Sequence, residues 1–311
     1  MHTSDFFSTS TAMSADGTTI SYRTTGQGPG LILLPGALAT GRDFDGPARA
    51  LGEWFTVHTL DRRGRGGSGP QGARYSAERE GEDIAAVQAA TGAGFIAGHS
   101  FGGFLALEAM SAGQQYRRAA VYEPGVLLGG HGPAALAWAS RCQRELEGGR
   151  PLAAFLTFIR GVHPDTTGKV PRPVLRLIIL TAIRRRERRQ NYALLGTAIA
   201  EHQQAARLAN QPQRYAHIPV PTLLMAGKDA SKTTMGQVVA QLAAVLPSTQ
   251  VATFPKLDHF GPQKAPETIA DAIRTFFLSD HAAETAAVVR DRGIVAAGQV
   301  DDRGEVRLPR S

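Results

Sequence analysis

Phe95-Ile96-Ala97-Gly98-His99-Ser100-Phe101-Gly102-Gly103-Phe104-Leu105-Ala106-Leu107-Glu108 is the stretch from which the rest of the chain is read. A short apolar run with the pattern of a buried strand leads into glycines two residues either side of a serine, and a helix-forming stretch follows. Such glycines let the backbone turn so tightly that the Ser100 hydroxyl stands clear of the main chain. The helix that starts there aims free N–H groups and a positive dipole end at the same point. A Gly-x-Ser-x-Gly match says little by itself in a chain with 35 glycines. The flanking strand and helix make Ser100 a candidate nucleophile.

Outward from this turn, residues 18–23 alternate as a half-exposed strand. Residues 31–34, 56–60, 119–122, 222–225 and 250–254 read, like 95–97, as strands buried on both faces. Helical patterns at 80–90, 102–112, 236–246 and 266–278 separate most of them. Strand alternating with helix predicts an α/β fold, a mainly parallel sheet flanked by helices. The alternation breaks between Gly125 and Ile218, where helical patterns follow one another, which predicts an inserted helical cap. In it, Leu175, Ile178, Ile179, Ala182 and Ile183 share one helical face, expected to pack within the cap or onto the core. The expected organisation is a core over residues 1–126, a cap over 127–216, the second part of the core over 217–280, and a flexible tail over 281–311.

Composition narrows the class. With 42% hydrophobic and 20% charged residues, the chain reads as a globular protein able to bury a full core. The single cysteine, Cys142, excludes an intrachain disulfide framework and argues against a cysteine-ligated metal. Residues 1–15 have neither a cationic start nor an apolar core, and no run approaches a membrane span, so the expected location is the cytoplasm. The net charge of +7 is concentrated: residues 127–216 hold 14 Lys and Arg against five Asp and Glu. The densest part, Arg184-Arg185-Arg186-Glu187-Arg188-Arg189, reads either as a solvated helix end or as a patch steering an anionic ligand. No aromatic interleaving and no nucleic-acid motif accompany it, so no nucleic-acid partner is expected; nor, with no membrane span, is a membrane partner.

The motifs together resemble those of α/β-hydrolases from residue 18 to 278 outside the cap. The resemblance implies an oxyanion loop at Leu34-Pro35-Gly36-Ala37, with proline where the family commonly has histidine. The backbone N–H groups of Ala37 and Phe101 would form the hole. Asp61-Arg62-Arg63-Gly64-Arg65-Gly66-Gly67-Ser68 resembles a structural loop of the same superfamily, giving Asp61 and Arg63 no catalytic part. A serine hydroxyl needs a base, and His259, after the last strand and before the last helix, occupies the family's position for it. The other eight histidines lack that context, and His99 is read as structural. Two carboxylates fit the chain order of a triad acid: Asp229 after residues 222–225, the commoner arrangement, and Glu123 in Tyr122-Glu123-Pro124, which resembles members carrying glutamate there. Glu123 is favoured and Asp229 stays open.

The resemblance implies a serine hydrolase acting on a small carboxylic ester or lactone, possibly anionic, through an acyl-enzyme and without a cofactor or metal. Related proteins include cofactor-free oxygenases, perhydrolases, natural-product cyclases and slow-turnover ligand receptors, and these remain alternatives.

Overall fold

The computed structural model describes residues 7–128 and 136–279; the expected tail at 281–311 lies outside them. Eight strands form one sheet: β1 (Ser8–Met13), β2 (Thr19–Thr25), β3 (Gly30–Leu34), β4 (Thr56–Leu60), β5 (Phe95–His99), β6 (Arg118–Tyr122), β7 (Thr222–Ala226) and β8 (Thr249–Thr253). Their order is β1-β2-β4-β3-β5-β6-β7-β8, antiparallel at β1-β2 and β2-β4 and parallel elsewhere.

The continuous apolar runs become central strands because both sheet faces are covered. In β3, Ile32 and Leu34 join one core cluster and Leu31 and Leu33 the other, the period-two alternation of a doubly covered strand. Helices α1 (Asp45–Leu51) and α11 (Pro266–Leu278) cover one face; α2 (Ala77–Thr91), α3 (Phe101–Ser111) and α9 (Thr234–Val245) cover the other. The short α10 (Gly261–Lys264) leads into α11. Five helices separate β6 from β7: α4 (Ala137–Glu147), α5 (Pro151–Val162), α6 (Arg172–Ala182), α7 (Arg185–Ala193) and α8 (Leu195–Arg207). They bury a third cluster of their own, centred on Phe155, Phe158, Leu195 and Ile199, against which Ala37 and Leu38 of the core also pack.

Three expectations change. Strand β1 falls in a polar segment that gave no apolar signal; its Ser/Thr-rich sequence forms an exposed edge. Strand β8, expected to be buried on both faces, is the opposite edge and is largely exposed. In α6, Leu175 and Ile179 pack into the cap cluster, but Ile178 is 47% exposed and Ala182 is exposed too, because α5 covers only part of the helix circumference.

The loop after β4 forms the main polar interior. Arg62 makes a two-pronged bond to Glu80 of α2, at 2.8 and 2.5 Å, and lies 3.0 Å from Glu201 of α8. Arg65 pairs with the same Glu201 and donates to the Ala39 carbonyl at 3.1 Å, and Arg62 also reaches the Gly36 carbonyl at 3.3 Å. All four charged side chains are buried. Arg63 is absorbed by Asp83 and Asp16, and Asp61 accepts the N–H groups of Gly41 and Gly67, so the loop braces its neighbours. Glu201 ties the cap helix to the core, and taking one partner from a buried ion network leaves uncompensated charge costing about 3–5 kcal/mol. Glu201→Leu is therefore expected to lower unfolding free energy by about that amount in urea titrations, and a loss below about 1 kcal/mol would mean that the two arginines rearrange freely.

Candidate active site

Ser100 sits between β5 and α3 with φ +53° and ψ −121°, a strained turn for a residue carrying Cβ. Two glycines make this geometry possible. A Cβ on Gly98 would lie 2.4 Å from the Gly102 carbonyl oxygen, and one on Gly102 would lie 2.2 Å from that of Leu34. The Ser100 N–H donates to the Tyr122 carbonyl at 3.0 Å, and its carbonyl accepts from Gly103, Phe104 and Gly125, fixing the turn from both sides. Ser100 Oγ makes no hydrogen bond among the described residues and lines an apolar cavity. The N–H groups of Ala37 and Phe101 are likewise not engaged by any acceptor among the described residues.

Glu123 follows β6 with φ +41°, and its carboxylate is held at both oxygens. One accepts the Gly227 N–H at 2.8 Å; the other lies 2.7 Å from His259 Nδ1. The imidazole thus donates from Nδ1 and leaves Nε2 as its basic nitrogen. Gly227 lies just past β7, where a Cβ would stand 3.1 Å from the Glu123 oxygen and 2.6 Å from the Leu257 carbonyl. Asp229, the other candidate acid, is exposed, makes no bond to His259, and uses its backbone carbonyl to accept from Lys232 and Thr233. The structure brings Glu123 and His259 together and leaves Asp229 on a cavity wall.

The histidine loop is anchored from below. Tyr122 Oη donates to the Asp258 carbonyl at 2.8 Å, and His99 Nε2 donates to the His259 carbonyl at 2.7 Å. His99, read from sequence as structural, is thus a direct support of the His259 loop. Two more histidines lie near the site without having drawn attention in the sequence. His163, at the end of α5, packs edge-on against His259 with ring centroids 4.8 Å apart. His202 of α8 sits against Trp138, Phe158 and Phe101 in the apolar wall. Nothing in their local sequence marks them, because the folding of the cap over the core is what brings them in.

Burial sets the electrostatics. Desolvation lowers the His259 pKa to about 4, with the Asp258 charge opposing, and it lowers His99 and His163 to about 3 and His202 to about 4. It raises the Glu123 carboxyl, opposed by the Gly227 N–H. Two cavities meet at this point. The apolar one, about 340 Å³, is walled by Phe101, Val126, Leu128, Leu136, Trp138 and His202; the other, about 320 Å³, runs past His163, Asp165, Lys228, Asp229 and His259. Asp165 accepts from Thr234 of α9 at 3.1 and 2.5 Å, which latches the loop after α5 to the core between the cavities.

The chain belongs to the alpha/beta hydrolase family, whose pattern it matches over residues 31–272. It is similar to the crystal structure of an alpha/beta hydrolase from Sphaerobacter thermophilus DSM 20745, with 31% identity, a TM-score of 0.73, and coverage of 87% of this chain and 100% of that one. A hydrolase from Pseudomonas aeruginosa PA01 superposes with 23% identity and a TM-score of 0.66 over 87% and 98% of the two chains. An esterase from Rhodococcus sp. ECU1013 does so with 20% identity and a TM-score of 0.63 over 88% and 99%. No curated protein sequence matches the chain. Among the described residues, no helix is long and apolar enough to cross a membrane.

The four desolvated imidazoles, His99 buried and His163, His202 and His259 half-buried, have a shared consequence. An unfolded chain protonates them near pH 6.5, whereas the fold keeps them neutral to about pH 3–4. Their contribution to stability is complete above pH 6.5 and is lost as pH falls through the folded values. Histidine-selective NMR should show His259 neutral at pH 7 and titrating near pH 4; titration at the ordinary 6.5 would mean that the ring is open to water.

Proposed function

We propose that the chain is a serine hydrolase that cleaves a carboxylic ester or lactone, in the cytoplasm, through an acyl-enzyme. The observation that carries this reading is the Glu123–His259 contact of 2.7 Å, with the carboxylate pinned by Gly227, beside a strained serine turn and two unengaged N–H groups. In this reading Ser100 Oγ attacks the carbonyl carbon while His259 Nε2 takes its proton. Glu123 holds the imidazole in the required tautomer and stabilises the imidazolium that forms. The Ala37 and Phe101 N–H groups receive the developing oxyanion. His259 returns the proton to the leaving alcohol or ring oxygen; it then draws one from water, which releases the acyl group and restores Ser100.

The cavities support a division of the substrate. The apolar one opens on Ser100, with Trp138 and His202 among its walls, and suits the acyl part. The other, lined by Lys228 and Asp229 beside His259, is left for the leaving group; Asp258 on its wall is paired with Lys264. The esterase and hydrolases of the same fold agree with the reaction class.

A p-nitrophenyl ester series with a fluorophosphonate probe tests the assignment. Ser100→Ala is expected to lose both turnover and labelling while unfolding at the same urea concentration; undiminished turnover would falsify the serine-hydrolase reading. Glu123→Gln should reduce kcat by about 10⁴ and Asp229→Asn by far less, since only the first disturbs the imidazole tautomer. Ala37→Pro, which deletes one N–H donor, should cost on the order of 10² in kcat, with a smaller change in KM.

A further inference from the structure

Helix α6 exposes an apolar stripe. Val174 is 48% exposed, Leu177 63%, Ile178 47% and Leu180 40%, so half of the large hydrophobic residues exposed among the described residues lie on this single helix. Val174, Leu177 and Ile178 follow the i, i+3, i+4 spacing of one helical face, and Leu175 and Ile179 anchor the opposite face in the cap cluster. Cations stand at both ends of the stripe. At its start, Arg150, Arg172 and Arg176 line a groove of about 520 Å³ floored by Leu152 and Leu156 of α5. At its end, Arg184, Arg185 and Arg186 open α7, whose Arg188 donates to the Leu180 carbonyl at 2.9 Å and so holds the two helices together. Among the described residues, Arg150, Arg176, Arg184, Arg185, Arg186 and Arg189 form no ion pair.

We propose that this face of the cap docks on an anionic lipid surface, with the α6 stripe seated among the upper acyl chains and the flanking arginines on the headgroups. An apolar helix face bordered by arginines is the physical form of an interfacial helix, in which the long cationic stems reach outward while the stripe sinks below them. The charge pattern selects this occupant over a second copy of the chain. A two-fold contact between stripes would oppose arginines to arginines whether the helices ran parallel or antiparallel, because both ends are cationic. The geometry also gives docking a use. Helix α5 supplies Leu152 and Leu156 to the groove and Arg160, Gly161 and Val162 to the apolar cavity beside Ser100, positions separated by about 6–15 Å along the helix axis. A face seated on lipid would hold that cavity within one lipid length of the acyl layer.

Co-sedimentation of the full chain with vesicles tests the proposal, comparing pure phosphatidylcholine with phosphatidylcholine containing one-third phosphatidylglycerol. Partition onto the anionic vesicles is expected to exceed that onto neutral ones by about tenfold or more and to be released by high salt. Leu177→Asp with Ile178→Asp should reduce it at least tenfold. Arg176→Gln with Arg184→Gln and Arg185→Gln should do the same, at about fivefold per arginine. All five positions are on exposed faces, so urea midpoints should match the parent and separate lost docking from lost folding. Equal partition onto the two vesicle types, no partition onto either, or anionic binding unchanged by both variants would each overturn the proposal. So would a dimer in sedimentation velocity that Leu177→Asp dissociates while vesicles bind nothing.

Discussion

Two buried arginines share two buried glutamates beneath the loop that carries Ala37, and much of the architecture depends on their staying there. Arg62 is fully enclosed, its guanidinium 4.7 Å from the centre of the Phe101 ring, and it reaches Glu80 of α2, Glu201 of α8 and the Gly36 carbonyl at once. Arg65 repeats the connection through Glu201 and Ala39. Charges this deep are tolerable only as a balanced set, and the balance here is of charge and not of every hydrogen bond, since Arg65 Nε and Glu201 Oε2 lack a partner among the described residues. The network therefore does not add stability so much as forbid alternatives: α2, the loop after β3, the loop after β4 and the cap helix α8 must meet in one arrangement or leave a charge stranded. This also answers the proline at position 35. A side chain in the loop is not needed as a brace, because Arg62 and Arg65 hold the loop by its carbonyls.

The fold was legible where one physical signal dominates. Runs such as 31–34 and 119–122 are apolar at every position because both faces of those strands are covered, and the glycines at 98 and 102 are required by contacts of 2.4 and 2.2 Å that no Cβ could survive. Legibility failed at the edges. Strand β1 is held by backbone pairing to β2 and buries almost nothing, so its polar sequence looks like a loop, and the apolar look of residues 250–254 concealed an exposed edge. The helices of the cap were readable as helices, but the exposed face of α6 was not, since periodicity shows that a face exists and not whether a neighbour reaches it.

The site divides in the same way. Chain order and local context pointed to Ser100, His259, Ala37 and Phe101 as candidates, because each follows a strand that the sequence marks. The carboxylate was read only as a preference for Glu123, since Glu123 and Asp229 both satisfy that order. What separates them is a single N–H: Gly227 lacks a side chain, so the end of β7 can approach the Glu123 carboxylate and orient it toward His259. His163 and His202 were invisible for a different reason. Their role as neighbours comes from how the cap lies over the core, a long-range fact that no window of sequence contains.

The position of Glu123 has an architectural consequence. Ser100 and Glu123 stand at the ends of β5 and β6, adjacent parallel strands whose register pairs His99 with Tyr122, so their spacing is set by backbone hydrogen bonds inside one continuous stretch of chain. The inserted helices begin only after both residues are in place. A longer or shorter insertion would thus leave the distance between hydroxyl and carboxylate unstretched, and what the segment after β7 gives that carboxylate is the bare backbone at position 227.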